Sequence, residues 1–401
     1  MSNSLTVAIA IIVLAVATSI VANEPAEVPE NRTNFGNFSE DKSAIHVWIQ
    51  QIQSIGREGS GSKEARRAIA RLSTLPPNQI PALLDAFPNA DPIARNVLRG
   101  VIESIADQKT NSLPMAELVD YIKHPQQHDP FARGLAFELL QRADPQRAKQ
   151  IAPSLLHDPN SDLRRLAVAR AIADAETFAD RGEKNRARRA YQRALSGAVD
   201  RDQVTTIIEA LQAYDVAVDL PRHFGFITNW RIIGPFDNTN YSGFDQPYPP
   251  ETEFDPTADY PGKQGEVAWQ SIATDDDFGV VDIAKSLENY KGAVMYLVAT
   301  FHADRSRDAE IRLGTQNAWK LWLNGEFLFG HEEYHRGMIM DQHRLPIRLK
   351  RGRNRILLKL LQDEQLDELS QSYRFQLRIT DETGVALHSN IATAPVLAPK
   401  P

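Results

Sequence analysis

Residues 319–326 read Trp-Lys-Leu-Trp-Leu-Asn-Gly-Glu, and residues 373–379 read Tyr-Arg-Phe-Gln-Leu-Arg-Ile. In both stretches apolar side chains recur at every second position, which is the period of a half-buried strand. Asn324-Gly325 supplies the two positive-φ positions that a tight hairpin turn requires. The two stretches therefore predict that the C-terminal half of the chain is antiparallel β structure.

Further strands are predicted on both sides of this hairpin. About eight strands separated by turn residues, over roughly 160 residues, are typical of a β-sandwich or jelly roll. The predicted strands are residues 229–233, 293–302, 309–314, 318–323, 326–329, 343–349, 354–361 and 373–380.

The first half of the chain, residues 42–220, has a helical period instead. Ala65, Ala68, Ile69 and Leu72 fall at i, i+3, i+4 and i+7, and similar stripes recur over residues 94–102, 132–140 and 163–167. Each predicted helix therefore has one apolar stripe to bury.

Three of these helices share an entry signal, an Asp-Pro pair followed by an arginine. Asp accepts hydrogen bonds from the free amides at a helix start, and Pro is tolerated in the first turn. The recurrence predicts stacked helical hairpins, an α-solenoid, with a single irregular bundle as the alternative. The stretch resembles HEAT repeats. The pairs are Asp91-Pro92, Asp129-Pro130 and Asp158-Pro159.

The two ends of the chain read differently from its interior. Residues 5–22 are mostly apolar and uncharged, which indicates a signal peptide or, if it is not cleaved, a membrane anchor ending near residue 22. Residues 23–41 are rich in Glu, Pro and Asn and read as a linker, and residues 386–401 as a flexible tail. We expect an exported protein, periplasmic or extracellular.

The amino-acid composition argues against several classes of site and partner. The 401 residues include no cysteine, which excludes disulfides, thiolate zinc sites and cysteine-bound iron–sulfur clusters. A net charge of −7 argues against nucleic acid as a partner. One local exception is the basic run over residues 181–195, a helix face that could meet an acidic partner, lipid headgroups or only solvent.

An ordered set of motifs runs through residues 222–385. It includes Trp-Arg-Ile-Ile-Gly-Pro-Phe-Asp at 230–237, Trp-Leu-Asn-Gly at 322–325 and Gly-Arg-Asn at 352–354. This succession resembles the galactose-binding-like β-sandwich modules of exported bacterial proteins. It is similar to the non-catalytic sugar-binding domain of family 2 glycoside hydrolases, and the whole pattern resembles planctomycete-type secreted proteins with helical repeats. The resemblance implies a carbohydrate or cell-surface polymer as ligand.

The predicted ligand-binding residues lie in and beside the segment that joins two strands of this half. Trp322 points to the face opposite Leu321 and Leu323, where its ring could stack on a ligand. Residues 331–341 supply polar side chains in a loop, where binding groups commonly concentrate. The candidate binding residues are Trp322, His331, Tyr334, His335, Arg336 and Asp341.

Residues 331–335 also match His-Glu-x-x-His, the zinc-protease signature. That chemistry needs a helix, so that His331 and His335 meet one metal ion and Glu332 activates water. The flanking strand patterns predict a loop instead. Residues 275–277, three consecutive Asp, are expected to form a capped turn, with a structural calcium left open.

These observations predict a multidomain α + β protein, an α-solenoid over residues 42–220 followed by a β-sandwich over residues 222–385. The predicted function is non-catalytic binding or scaffolding, with a glycan or surface polymer on the sandwich and a protein partner on the helical repeats. No catalytic residue, metal ligand or cofactor is predicted. A zinc-dependent hydrolase and a purely structural envelope protein are the alternatives.

Overall fold

The computed structural model describes residues 42–56, 59–252 and 254–390, without the side chains of residues 42, 368 and 369. The described residues from 48 onward form one compact unit, which contains every described strand and all described helices but the first. The predicted signal or anchor segment, the linker and most of the tail lie outside the described residues. None of the described helices is both long enough and apolar enough to cross a membrane.

Helices occupy the N-terminal part of the described chain, as the apolar stripes predict. The helices are α1 (Lys42–Gln53), α2 (Ser62–Leu72), α3 (Ile80–Leu84), α4 (Pro92–Gln108), α5 (Met115–Lys123), α6 (Pro130–Ala143), α7 (Pro145–Ile151), α8 (Ser161–Asp180), α9 (Lys184–Gly197), α10 (Arg201–Gln212), α11 (Leu220–Phe224), α12 (Pro249–Thr252) and α13 (Ile283–Ser286). The segment from α2 to α11 is termed the helical region.

Two of the three Asp-Pro pairs start helices in the predicted way. The Asp91 carboxylate accepts a hydrogen bond from the Ala94 amide, 2.8 Å away, and Asp129 accepts from the first amides of α6. Before α8, however, Asn160 caps the helix, and Asp158 binds the buried Arg133 instead. The third pair thus holds two helices together rather than starting one.

Arginines of the helical region reach forward to acidic residues near the next entry. Arg95 of α4 approaches the Asp129 carboxylate at 3.4 Å. Arg133 of α6 binds Asp158 at 2.6 Å, and both side chains are almost fully buried. Arg165 of α8 pairs with Asp200, just before α10, at 3.2 Å. Each contact connects a helix to the start of a later one.

Strands occupy the C-terminal part of the described chain. All eight predicted strands are confirmed, some of them longer than predicted. The strands are β1 (Asn229–Asp237), β2 (Asp259–Gly262), β3 (Gly265–Ala268), β4 (Gln270–Ala273), β5 (Val281–Asp282), β6 (Ala293–Ala303), β7 (Arg307–Thr315), β8 (Ala318–Leu323), β9 (Glu326–His331), β10 (His343–Leu349), β11 (Gly352–Gln362) and β12 (Arg374–Thr380). The segment from β1 to β12 is termed the sheet region.

The strands form two main antiparallel sheets and a small hairpin. The six-stranded sheet has the order β4-β1-β6-β11-β8-β9, and the four-stranded sheet has the order β10-β7-β12-β5. β2 pairs only with β3 among the described strands. In the predicted hairpin Leu323 faces Glu326 across Asn324-Gly325, whose φ angles are 56° and 88°. The turn is therefore the positive-φ type that the sequence requires.

One hydrophobic core fills the space between the two main sheets. It contains Trp319, Leu321 and Leu358 of the six-stranded sheet and Leu313 and Phe375 of the four-stranded sheet, all of them buried. The two sheets therefore pack face to face, with alternate side chains of each strand directed inward.

A second core covers the opposite face of the six-stranded sheet. The chain between β1 and β4 folds back over this face and brings aromatic side chains onto it, such as Tyr248 and Trp269. Lys359 of β11 is fully buried there, and its ammonium group donates to Glu251 of α12 at 2.7 Å. This sheet is thus covered on both faces, which accounts for the apolar character of β6 on both sides.

The helical and sheet regions are joined by buried contacts. Arg378 of β12 donates to the Phe224 carbonyl at the end of α11, 3.1 Å away. Arg164 of α8 donates to the Thr383 hydroxyl, just after β12, at 2.9 Å. Phe224 and Phe226 also belong to a core cluster shared with α8, α9 and α10. Polar and apolar contacts together fix this junction.

Candidate binding site at the loop end of the six-stranded sheet

Trp322 does not lie with the other candidate binding residues. It is 8% exposed, belongs to the second core and packs against Phe327, with ring centroids 5.5 Å apart. The chain between β1 and β4 covers the face to which the ring points. Its ring therefore offers no open face for stacking on a ligand.

The His-Glu-x-x-His segment begins at the end of β9 and continues as a loop, as the flanking strands predict. Its two histidines bind different carboxylates: His331 lies 3.0 Å from Glu333, and His335 lies 2.6 Å from Asp363. Across the described ranges, no group of three or more His, Asp or Glu side chains is placed to hold a metal ion. This geometry does not assemble a zinc centre.

Asp341 and Arg336 also have separate surroundings. Asp341 accepts hydrogen bonds from the buried Arg312 and Arg378, at 2.8 and 2.7 Å. Burial alone would raise the pKa of Asp341, but the two guanidinium groups outweigh it and leave the pKa below its usual value. The Arg336 side chain is 71% exposed and pairs with Glu333. Asp341 therefore stabilises the structure, and Arg336 lies in solvent.

Residues 275–277 form the capped turn that the sequence predicts. The Asp276 carboxylate accepts hydrogen bonds from the amides of Phe278 and Val280, at 2.9 and 3.1 Å. These are the bonds of an Asx-type turn, and they account for this acidic residue without an ion.

Tyr334 and His335 come together with residues from two other loops. At this end of the six-stranded sheet β1, β9 and β11 finish, and β6 and β8 begin. The loop after β1 contributes Asn238 and Tyr241, and the loop after β11 contributes Asp363. These five residues are termed the loop cluster.

The aromatic part of the loop cluster consists of two tyrosines. The rings of Tyr241 and Tyr334 meet edge to face, with centroids 5.3 Å apart. Tyr241 is 48% exposed, and Tyr334 is half-buried beside it. The pair thus presents ring surface to solvent while one of its members is anchored in the protein.

Beneath the tyrosines lies a polar layer with few free groups. The Asn238 amide nitrogen donates to the Tyr334 hydroxyl at 3.2 Å and to the Gln362 carbonyl at 3.0 Å. The Asp363 backbone carbonyl accepts from Gly292, and its carboxylate binds His335. Asn238 and Asp363 are almost completely buried. The loops are therefore held by bonds between buried groups, which favour one arrangement.

One buried polar atom of the loop cluster is unsatisfied, and one hydroxyl group accepts a hydrogen bond without donating one to the described residues. The buried Nδ1 atom of His335 has no hydrogen-bond partner in the described part of the chain. The Tyr334 oxygen accepts from Asn238, and its own hydrogen finds no acceptor there. Burial, and to a smaller extent the charge of Glu332, raise the pKa of Tyr334 to about 12, so the phenol keeps its hydrogen. Tyr334 can therefore donate to a ligand oxygen.

Residues in and beside the loop cluster also have unusual backbone conformations. Asn240, Tyr241 and His335 have φ angles of 54°, 61° and 62°. For non-glycine residues such angles are unusual, most of all for a bulky side chain such as Tyr, and cost on the order of 1 kcal/mol each. Strain that the surrounding structure maintains is common where side chains must be aimed at a ligand.

Two of the five residues were predicted from the sequence, and three were missed. The missed residues are distant in sequence from the loop that was predicted to bind: Asn238 and Tyr241 follow β1, and Asp363 follows β11. Only the pairing of β1 and β11 with β6 brings them near that loop. One available signal was Asn-Thr-Asn-Tyr directly after a predicted strand, at residues 238–241. Polar turn residues next to an aromatic side chain at a strand end are typical of loops with exposed binding groups.

A cavity of about 830 Å³ lies at the junction of the helical and sheet regions. Several of its polar lining groups are engaged in protein contacts, while the buried Nε atom of Arg164 has no partner in the described part of the chain. Asp219 caps α11, Asp381 accepts from the turn at Thr383, and His223 bonds the Ala198 carbonyl at 2.9 Å. Because these groups already have partners, the loop cluster is the stronger candidate for a binding site.

No family model and no curated protein matches this sequence. Among solved structures, a β-glucosidase from Kluyveromyces marxianus in complex with glucose shares 10% identity over 38% of this chain, with a TM-score of 0.24. A GH31 α-xylosidase from Xanthomonas citri shares 10% over 39%, with a TM-score of 0.19. The chain spans only 16% of the length of each of these enzymes. TM-scores this low carry no argument about fold or function.

Proposed function

We propose that the protein is a non-catalytic, exported binding protein whose loop cluster recognises a carbohydrate or a cell-surface polymer. The observation that carries the proposal is the pair Tyr241 and Tyr334, which lies above a buried polar layer with Tyr241 on strained backbone. An aromatic ring beside hydrogen-bonding groups suits a sugar, which has apolar C–H faces and a rim of hydroxyls.

Each part of the loop cluster has a role in this proposal. The exposed Tyr241 ring packs against a sugar face, and the Tyr334 hydroxyl donates to a sugar oxygen. His335 is a positioning residue, since its bond to Asp363 fixes the loop that carries Tyr334. The site is open and shallow, which suits one unit of a long polymer.

The finer fold assignments belong to the same proposal. The forward contacts Arg95–Asp129, Arg133–Asp158 and Arg165–Asp200 support an α-solenoid of HEAT type, because each connects successive helical pairs. The two packed antiparallel sheets and the Asn324-Gly325 hairpin support a galactose-binding-like sandwich. In this reading the helical region provides the surface for a protein partner.

Export rests on residues 5–22. Expression of the full chain with a C-terminal tag, followed by fractionation, tests it. Cleaved protein in the periplasm or medium is the expected result, and uncleaved cytoplasmic protein would contradict export.

Carbohydrate binding is tested on a panel of immobilised glycans and bacterial cell-wall polysaccharides with the wild type and two variants. Tyr241→Ala removes the exposed ring and should abolish most binding. Tyr334→Phe keeps the ring and removes the donor, so affinity should fall about 5- to 10-fold, the usual effect of one hydrogen bond.

Phe327→Ala is the matched control. Phe327 lies on the edge strand β9, outside the loop cluster, and is exposed to nearly the same degree as Tyr241, 53% against 48%. Its removal should leave binding unchanged. Absence of any glycan ligand, or equal loss in Phe327→Ala and Tyr241→Ala, would overturn the carbohydrate proposal.

A further inference from the structure

A groove of about 440 Å³ runs along the surface between α8 and α9. Its floor is apolar and includes Leu156, Ala171, Phe178 and Ala190. The last three of these pack against the edge of a buried cluster and remain only partly buried. The floor is thus an extension of the core that stays partly open to solvent, with the Arg186 guanidinium 4.4 Å from the centre of the Phe178 ring.

The rim of this groove is basic. Three of its lining side chains are arginines, Arg170, Arg181 and Arg193, and only one, Asp174, is a carboxylate. Asp174 already pairs with Arg170 at 3.0 Å. The charges that remain uncompensated at the rim are those of Arg181 and Arg193.

The basic character extends from the end of α8 along α9. Arg181, Arg188, Arg189 and Arg193 are exposed, and none of them forms an ion pair within the described ranges. These four arginines give the groove and its surroundings a basic surface on a protein of net charge −7.

We propose that the groove between α8 and α9 binds an acidic segment of a protein partner. An apolar side chain of that segment enters between the helices and covers Ala171 and Phe178. Its carboxylates meet Arg181 and Arg193 at the rim, where Arg can bind them with two parallel hydrogen bonds. The inference deepens the protein-contact role proposed for the helical region and is independent of the carbohydrate role of the loop cluster.

The shape of the groove favours a peptide over a membrane. A planar bilayer contacts the protruding arginines first and leaves the recessed apolar floor unfilled. A peptide side chain reaches that floor, so both the charge and the apolar surface are matched. Basic charge alone could attract either a membrane or an acidic peptide, but only the peptide can also fill the apolar floor.

The test uses the full chain and a fluorescein-labelled peptide in which glutamates flank one phenylalanine, measured by fluorescence anisotropy. The wild type should bind it, and binding should weaken with added salt because exposed charges are screened. The double variant Arg181→Gln/Arg193→Gln should bind about tenfold more weakly, as expected for the loss of two exposed ion pairs.

The matched control is Arg188→Gln/Arg189→Gln. It removes the same charge, and its two residues do not line the groove. This variant should keep nearly full affinity. Ala171→Leu fills the floor without changing charge and should also weaken binding, provided that its thermal melt matches the wild type; if it does not fold, the two arginine variants decide.

Three results would overturn the inference: no binding of the peptide to the wild type, equal loss in both double variants, or tighter binding to phosphatidylserine vesicles than to the peptide. The glycan panel is run on the same preparations. Retained glycan binding with no peptide binding would remove the groove inference and leave the carbohydrate proposal intact, so the two failures are distinguishable.

Discussion

The helical and sheet regions each contain a buried aspartate bound to arginine, but the two are connected differently. Asp158 binds Arg133, whose remaining hydrogen bonds go to the Ile122 carbonyl at the end of α5. Asp341 binds Arg312 of β7 and Arg378 of β12, and Arg378 also reaches Phe224 of α11. The helical contact thus involves neighbouring elements only, whereas the sheet contact joins distant ones.

Because the two aspartates connect different sets of elements, substitutions at them should destabilise different parts of the structure. Loss of Asp158 should loosen the helices around it and leave the sheets intact. Loss of Asp341 should affect both sides of the junction at once. Substitutions at these aspartates and at a helix cap measure that contrast, in order of decreasing effect.

The largest effect is expected for Asp341→Asn. The variant keeps the shape of the side chain, but it leaves the buried Arg378 with no carboxylate partner in the described chain and Arg312 with Glu310 alone. Because an unpaired buried charge is costly, the free energy of unfolding should fall by about 3–5 kcal/mol. Chemical denaturation monitored by tryptophan fluorescence measures it.

Asp308→Asn is the control, since its pair with Arg348 lies on the surface and should contribute less than about 1 kcal/mol. Acid provides a second measurement. The folded pKa of Asp341 is below the unfolded value, so its contribution is present at neutral pH and lost as pH falls below about 4. The difference between wild type and Asp341→Asn should therefore shrink on acidification; a constant difference would contradict the ion-pair account.

Asp158→Asn should have a smaller and more local effect. Asp158 pairs with one buried arginine rather than two, and Arg133 keeps its bonds to the Ile122 carbonyl. We therefore expect a loss of about 2 kcal/mol, in the range for a hydrogen bond to a charged group. Hydrogen exchange should quicken in α5 to α8 and remain unchanged in β6 and β11.

Asp202→Asn provides the comparison on the surface, because Asp202 pairs with Arg165 in solvent. Its exchange pattern should match the wild type. Faster exchange of the sheet strands in Asp158→Asn would show that the helical contact is not local after all.

The smallest effect is expected for Asp91→Ala, which removes the cap of α4. Loss of the bond to the Ala94 amide should lower the free energy of unfolding by about 1 kcal/mol, measured by thermal denaturation. Asp107→Ala removes an exposed partner of Arg142 instead and should change stability by less. An equal loss of stability in both variants would contradict the assignment of Asp91 as a stabilising helix cap.

The long, periodic elements were predictable from the sequence, and the short ones were not. β6 and β11 are apolar over many residues, and the hairpin of β8 and β9 has the explicit turn Asn324-Gly325. β3 and β4 have four residues each with one buried side chain, so no period is visible in them. Their pairing depends on the second core, which tertiary contacts create.

The candidate site shows the same division. Tyr334 and His335 were predicted because they are polar or aromatic loop residues near a recognisable hairpin. The alternating pattern around Trp322 is the same whether or not a loop covers that face of the sheet. The burial of its side chain therefore could not be predicted from the neighbouring sequence. Asp341 has the appearance of a loop carboxylate, and only the fold reveals the two arginines that use it.

The pairing of β5 with β12 affects the order in which the two regions can fold during translation. β5 is residues Val281–Asp282, and its partner in the four-stranded sheet is β12, the last described strand. That sheet is incomplete until residue 380 has left the ribosomal tunnel. The helices from α2 to α10 contact mainly their neighbours and can close as they emerge. The growing chain therefore presents a folded helical surface to its surroundings before the loop cluster is in place.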